Sequence, residues 1–208
     1  MTELRLRTRR LILRRWRDSD REPFARMNAD PEVMRYFPRA LTRHESDALI
    51  DRSDAEFDLR GYGRWAVEIP DEAPLIGFVG LSLATFQPMP EIGWRLDRSA
   101  WGRGFATEAA RATIEDAFDR LGLEEVLSWT VPTNLASIRV MERLGMTHDP
   151  ADDFDHPNMP EGHPLRRHVL YRISSKTGRL RAARDGSSRI SRAPSRARSN
   201  PPTRSRRT

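Results

Sequence analysis

A glycine-containing segment between a predicted strand and a predicted helix constrains the fold of this chain most strongly. It runs from Trp94 to Ala110, with Gly102 and Gly104 between its two halves. Glycine lets the backbone approach a ligand closely, and a helix that begins there presents unpaired N–H groups and the positive end of its dipole. The segment therefore predicts an anion site, most naturally for phosphates.

The helix after these glycines is predicted to pack on a sheet, because its apolar residues recur at a spacing of three and four. These residues are Ala106, Ala109, Ala110, Thr113, Ile114, Ala117, Phe118 and Leu121. A P-loop would end in Gly-Lys-Ser or Gly-Lys-Thr, and the single lysine is the distant Lys176. A dinucleotide fingerprint would need a third glycine where Thr107 stands. A tight strand-to-helix turn without a ligand is the alternative interpretation.

The charge of the chain is unevenly distributed. Residues 175–208 contain eleven basic residues and one acid, and subtracting this +10 from the total of +6 leaves −4 for residues 1–174. We therefore predict one domain over 1–174 and a disordered Arg/Ser/Pro-rich basic tail over 175–208. An acidic domain argues against a basic nucleic-acid recognition face, so weak, nonspecific contact with polyanions is expected of the tail alone.

The chain contains no cysteine, which excludes disulfides, thiolate metal sites and a cysteine acyl-enzyme. No signal-peptide pattern opens the sequence, and no stretch of eighteen apolar residues occurs. We expect a cytoplasmic protein without a membrane partner. A possible metal cluster, formed by Asp152, Asp153, His156, His163 and His168, matches no common zinc spacing, so no metal is predicted.

The pattern of apolar residues and turn residues predicts strands alternating with helices. The predicted strands cover 10–16, 64–69, 75–83, 91–96, 125–130 and 167–173; the predicted helices begin near Asp20, Asp30, Thr42, Phe105 and Asn134. Residues 149–164 are predicted to form a loop.

The segment from Trp101 to Ala109 resembles the acetyl-CoA pyrophosphate loop of the GNAT superfamily of N-acyltransferases, with Gly104 and Ala106 at the last two key positions. Trp101 stands where the family usually has Arg or Gln, and this form is similar to the ribosomal-protein alanine N-acetyltransferase branch. A second segment, Asn134 to Met146, is similar to the family segment whose Asn and Ser face the pantetheine arm. Many relatives carry a tyrosine general acid where this chain has Met141, and a thioether donates no proton.

The resemblance implies an α/β fold, with a mixed, mostly antiparallel sheet that is splayed in its middle and covered by helices on both faces. It also implies transfer of an acetyl group from acetyl-CoA to a primary amine by direct attack. The implied cofactor-binding residues are Trp94, Arg95, Leu96, Trp101, Gly102, Arg103, Gly104, Phe105, Ala106, Thr107, Asn134 and Ser137. Arg98 and Arg103 are candidate charge partners of the phosphates, and a backbone N–H near Trp94 to Leu96 is the implied donor to the thioester oxygen.

Glu91 is the predicted general base, because it begins the strand that leads into the glycine segment and matches an acidic position common in this branch. The alternative is an exposed carboxylate at the end of a strand, with a histidine at 156, 163 or 168 as the base. The acceptor is open between a protein N-terminus and a small molecule such as an aminoglycoside, a polyamine or a free amino acid. A catalytically silent acyl-CoA-binding module is the other alternative, and the oligomeric state is also open.

Because residues 175–208 have too few apolar side chains to offset the entropy of ordering, we expect a chain ending at Ser174 to fold and bind acetyl-CoA like the full chain. Thermal melts with and without acetyl-CoA check this. Any binding to polyanions should be salt-sensitive in the full chain and absent after truncation. Loss of cofactor binding on truncation would contradict the prediction.

Overall fold

The computed structural model describes residues 4–176. The helices are α1 Arg21–Ala29, α2 Pro31–Met34, α3 Arg43–Arg60, α4 Phe105–Asp119 and α5 Leu135–Leu144. The strands are β1 Arg5–Arg7, β2 Ile12–Arg14, β3 Arg64–Ile69, β4 Ala73–Ser82, β5 Glu91–Leu96, β6 Glu125–Thr130, β7 Thr147–His148, β8 Phe154–Asp155 and β9 Arg167–Ser174. Ser175 N–H donates to Glu124 O, and the chain turns into a helical conformation at residues 175–176. The predicted tail otherwise lies outside the described residues.

The strands form one mixed sheet in the order β1-β2-β3-β4-β5-β6-β9-β7, with β8 paired to β9. Neighbouring strands of the described chain pair antiparallel, except that β5 and β6 run parallel. That parallel pair has a single register position, Glu91 opposite Leu127. The predicted fold, a mostly antiparallel sheet splayed in its middle, is confirmed.

The two faces of the sheet bury different clusters of side chains. On one face the apolar residues of α4, among them Ala110 and Ile114, pack on strand residues such as Ile92 and Leu96 in the larger cluster. The other face carries a smaller cluster that joins α1, α2 and α3 to the sheet. Its buried members are Trp16, Phe24, Met27, Val33, Ile50, Ala66 and Phe78. Because strand residues alternate between faces, neighbouring residues of β5 belong to opposite sides of the molecule.

Local signals set most helix ends as the sequence predicts. The Thr42 hydroxyl accepts from Glu45 N–H while the Glu45 carboxylate accepts from Thr42 N–H, and Gly61 ends α3 in a left-handed conformation. Asp30 caps α2 by accepting from Glu32 N–H. The sequence analysis missed β1, β7 and β8. These strands have only two or three residues, which is too few for an alternating pattern.

A buried ion pair joins β2 to the turn before α1. Arg14 donates to both carboxylate oxygens of Asp20, at 2.7 and 2.9 Å, and through Nε to Glu68 at 2.7 Å. Its remaining donors reach the backbone carbonyls of Arg15 and Pro74. All five guanidinium N–H groups are therefore paired, which is the condition under which a buried charge is tolerated.

Removing the carboxylate of Asp20 would leave a buried cation with fewer partners. We expect Asp20→Ala to lower the free energy of unfolding by about 3–5 kcal/mol in urea titrations. The matched control is Asp18→Ala in the same turn, because that side chain is 99% exposed; its effect should stay within about 0.5 kcal/mol. Equal effects of the two substitutions would show that the buried pair adds no stability.

Candidate active site

The separation of β5 from β6 opens a gap in the middle of the sheet. Asp97 N–H donates to Ile76 O at 2.9 Å, so the odd-numbered backbone groups of β5 face β4 and the even-numbered ones face the gap. The Ile92 carbonyl accordingly accepts from the Ser128 hydroxyl at 3.0 Å, and the Leu96 carbonyl accepts from the Trp101 indole at 2.8 Å. The same alternation directs the backbone N–H of Trp94 into the gap.

The glycine segment ends at the N-terminus of α4, as predicted. Gly102 and Gly104 have φ values of 72° and 78°, in the left-handed region that favours glycine. Gly104 is the N-cap and provides no side chain, and the helical ladder begins with Glu108 N–H donating to Gly104 O. The N–H groups of residues 105–107 therefore precede the first bond of the ladder.

Contacts with the turn between β1 and β2 fix this loop. The Glu108 carboxylate accepts from the Thr8 hydroxyl at 2.6 Å and from Arg10 N–H and Nε–H at 2.9 and 2.7 Å. Burial disfavours the ionised form of Glu108, but these hydrogen bonds favour it more strongly and lower the pKa of Glu108. Arg10 also donates to the Arg103 carbonyl at 3.0 Å. The loop is thus held from outside, which leaves its inner side to a ligand.

The two predicted phosphate partners have other neighbours. The Arg103 guanidinium forms a two-point pair with Glu72, at 2.6 and 3.0 Å, and lies over the Phe105 ring. Arg98 lies 3.8 Å from Asp30. Arg103 is absent from the lining of the cavity described below, so its contribution to a ligand there would come from its backbone.

Asn134 and Ser137 meet Trp94 at the N-terminus of α5. The Asn134 side chain caps the helix by accepting from Ser137 N–H and donates to the Ser137 hydroxyl at 3.0 Å. The same hydroxyl accepts from the Trp94 indole at 3.3 Å. Because its oxygen accepts twice, the Ser137 O–H proton is available to a further acceptor. Met141 is fully buried in the larger cluster.

One cavity of about 810 Å³ connects these elements. The sequence-predicted residues that line it are Glu91, Trp94, Arg95, Leu96, Trp101, Gly102, Gly104, Phe105, Ala106, Thr107, Asn134 and Ser137. The Thr107 hydroxyl oxygen is buried there without a hydrogen-bond partner, beside the unpaired N–H groups of α4. An orphaned polar atom at this place fits an oxygen-rich ligand such as a diphosphate.

Glu91 lies in the cavity wall rather than at an exposed strand end. Its carboxylate accepts from the Ser82 hydroxyl at 2.9 Å and lies 3.9 Å from Arg64, which itself donates to Ser82 at 2.7 Å. Burial raises the pKa of Glu91 to about 7, against the opposing effects of Arg64 and Ser82. A carboxyl group with this pKa can hold and release a proton near neutral pH.

Two of the three candidate histidines also line the cavity, in an aromatic group with Phe86, Trp129 and Phe154. Burial lowers the pKa of both His156 and His168, so both rings are neutral near pH 7. His163 is a turn residue whose Nδ1 accepts from Leu165 N–H at 3.1 Å.

Sequence reasoning missed four basic residues of the cavity wall, Arg35, Arg64, Arg139 and Arg143. Arg139 and Arg143 lie one turn apart on α5, and this spacing was readable in the sequence. Their place in the cavity wall was not, because it depends on how α5 packs on α4. Tyr36 was also missed, because its position depends on tertiary packing. Its hydroxyl donates to the Thr133 carbonyl at 3.2 Å, beside Asn134.

The comparison with known families agrees with this geometry. Residues 10–147 match the model of the acetyltransferase (GNAT) domain. The chain belongs to the GNAT acetyltransferase family. It is therefore an N-acetyltransferase, and the GNAT domain uses acetyl-CoA.

Relatives support the same conclusion. The chain is 26% identical over 147 residues to the uncharacterized N-acetyltransferase YnaD of Bacillus subtilis (strain 168), covering 70% of this chain and 84% of that protein. An acetyltransferase structure from Agrobacterium tumefaciens str. C58 superposes with a TM-score of 0.70 at 27% identity, covering 84% and 96% of the two chains. The ribosomal-protein-S5-alanine acetyltransferase of Vibrio fischeri has a TM-score of 0.68 at 19% identity, covering 83% and 97%, and shares the fold.

Two further features concern other classes of ligand. Within residues 4–176, no group of three His, Asp or Glu side chains is placed to hold a metal ion. No helix in that part of the chain is long and apolar enough to cross a membrane.

The glycine loop can be tested by placing a charge in it. We expect acetyl-CoA to raise the melting temperature of the parent protein, since a ligand at 100 times its Kd stabilises the native state by about 2.7 kcal/mol. Gly104→Asp should abolish the shift, because it adds a side chain and a negative charge at the N-cap of α4, next to the N–H groups that would hold the phosphates. Gly122→Asp is the control, since Gly122 has a similar φ of 69° in a turn beyond α4. An unchanged shift in Gly104→Asp would assign the loop a purely structural role.

Proposed function

We propose that this GNAT protein transfers the acetyl group of acetyl-CoA to a primary amine that approaches Glu91 from the α1–α3 face of the sheet. The observation that carries the proposal is that one cavity contains the α4 N-terminus, the gap beside β5 and the Glu91 carboxylate. When bound, acetyl-CoA supplies the thioester, and coenzyme A leaves as the free thiol after the acetyl group has been transferred.

The fit of the cofactor rests on residues at the α4 and α5 N-termini. The N–H groups of Phe105, Ala106 and Thr107 would hold the diphosphate, with the orphaned Thr107 hydroxyl as a further partner. Arg139 and Arg143 add positive charge on the same wall of the cavity. Asn134 and Ser137 would lie along the pantetheine arm.

Glu91 is the proposed base. The ammonium form of an amine has no lone pair, so a group at the site must remove a proton before the attack. With a pKa of about 7, the Glu91 carboxyl is half ionised near neutral pH. Arg64 and Ser82 fix the side chain in place.

Two groups beside the gap have the chemistry for the remaining proton and charge. The backbone N–H of Trp94, which is directed into the gap, would stabilise the negative charge that develops on the thioester oxygen. The Ser137 O–H, whose oxygen already accepts from the Trp94 indole and from Asn134, would give a proton to the departing thiolate, and the second proton that the amine nitrogen loses on amide formation would restore the hydroxyl. This assignment fills the role that Met141 leaves open.

Replacing the base should affect the chemistry more than the binding. We expect Glu91→Gln to lower kcat about a hundredfold or more, with the acetyl-CoA thermal shift retained. In the parent, kcat/KM should rise with pH through about 7, the pKa of Glu91, because the carboxylate is the active form. A coupled assay of thiol release over pH 5.5–9 measures both.

The matched control is Glu56→Gln. Glu56 lies 3.7 Å from Arg64, and burial raises its pKa, but it does not line the cavity. Because the Glu56 charge contributes to the raised pKa of Glu91, this substitution should move the pH profile to lower pH without a large loss of kcat. A Glu91→Gln protein with the parent's rate and profile would remove Glu91 from the mechanism, and the neutral His156 and His168 would be tested next.

A further inference from the structure

Arg95 is a cation in the cavity wall without an anionic partner. In residues 4–176, no Asp or Glu oxygen forms an ion pair with it, and its buried Nε–H has no hydrogen-bond partner. Nη1 donates to the amide oxygen of Asn28 at 2.7 Å, and the guanidinium lies 4.1 Å above the Phe37 ring. Buried cations in proteins are usually paired, as Arg14 is here, because desolvating a lone charge is costly.

The surroundings keep this charge in place. Asn28 is fully buried and donates in turn to the buried Ser46 hydroxyl at 2.8 Å, which fixes its oxygen toward Arg95. Burial and the Arg64 charge lower the pKa of Arg95 to about 9, so the group remains positive at neutral pH. The side chain is thus preorganised for an anion that the protein does not provide.

Arg95 and Glu91 lie on the same face of β5, with Gly93 between them. No heavy atom lies within 4 Å of the position that a Cβ at residue 93 would take, so the space above the strand is open. Each charged side chain leans toward its own cross-strand neighbour, Glu91 toward Ser82 and Arg95 toward Phe78. The two charges therefore stay apart at the two ends of one open groove.

The spacing of the two residues along β5 favours an extended ligand. The Cα atoms of Glu91 and Arg95 are four residues apart, which is about 13 Å along an extended strand. A ligand that contacts both side chains therefore reaches along the strand, and two extended residues of peptide cover about 7 Å of that distance.

We propose that the acceptor is an amine that also carries a carboxylate about two peptide residues away, and that Arg95 binds this carboxylate while Glu91 receives the amine. Free dipeptides and peptide N-termini followed by an acidic residue share this chemistry. The inference rests on the proposed acetyl transfer and names the substrate class of the same site.

The first experiment compares acceptors that differ only in the anion. Dialanine is compared with dialanine amide, and Ala-Glu-Ala-Ala amide with Ala-Gln-Ala-Ala amide, each with acetyl-CoA. We expect the parent to prefer the carboxylate member of at least one pair by about tenfold to a hundredfold in kcat/KM, the effect of a charge-assisted hydrogen bond. The pair that shows the preference identifies the source of the carboxylate. Equal rates within both pairs would overturn the inference and leave the acetyl transfer intact.

The second experiment assigns the preference to Arg95. Arg95→Gln should reduce the ratio within the preferred pair to about one, mainly through KM, and Arg95→Lys should keep part of it. Arg17→Gln is the control, since that side chain is half exposed and pairs with Glu68 at 3.5 Å. A ratio that survives in Arg95→Gln would overturn the assignment.

A binding measurement separates this inference from the proposed reaction. Calorimetric titration of dialanine and its amide into the protein with coenzyme A should show tighter binding of the acid in the parent and no difference in Arg95→Gln. If no amine is acetylated but the acid still binds tighter, the proposed function fails and the carboxylate site stands. If the acid and the amide bind equally, the site is refuted whether or not acetyl transfer occurs.

Discussion

The separation of two parallel strands at the centre of the sheet is the constraint on which the site depends. β5 and β6 share one register pair and then diverge, so backbone groups that would pair with each other in a closed sheet face a gap instead. Side chains occupy part of it: Ser128 and Trp101 donate to the Ile92 and Leu96 carbonyls. What remains open lies between the α4 N-terminus and Glu91, and this is where a thioester and an amine can meet.

The alternation of β5 places its side chains on the two faces of the sheet. Ile92 and Leu96 belong to the larger cluster with α4, the helix that follows the glycine loop. Glu91 and Arg95 face the opposite side, where Asn28 of α1 and Phe37, just after α2, contact Arg95. In the proposed reaction this six-residue strand would serve both substrates, and a shift of register by one residue would exchange its two faces.

Charge burial has different consequences at two arginines of this face. Arg14 satisfies all five donors with two carboxylates and two carbonyls, and it joins β2, β3 and the turn before α1. Arg95 receives one amide oxygen and an aromatic face, which leaves its charge uncompensated. Arg14 is thus satisfied within the fold, whereas Arg95 retains hydrogen-bonding capacity for the proposed carboxylate.

The amino-acid sequence by itself determined the features that are local along the chain. The turn at Gly102 and Gly104, the caps at Asp30, Thr42 and Asn134, and the bounds of β5 each depend on neighbouring residues, and each was predicted correctly. Only the tertiary structure decided how strongly Glu91 and Arg95 are desolvated, that Arg103 pairs with Glu72, and that Arg139 lines the cavity. Burial and pairing depend on elements that lie far apart in the chain, such as Asn28 beside Arg95. The packing of those elements, not the local pattern of residues, sets the charge state and the partner of each group.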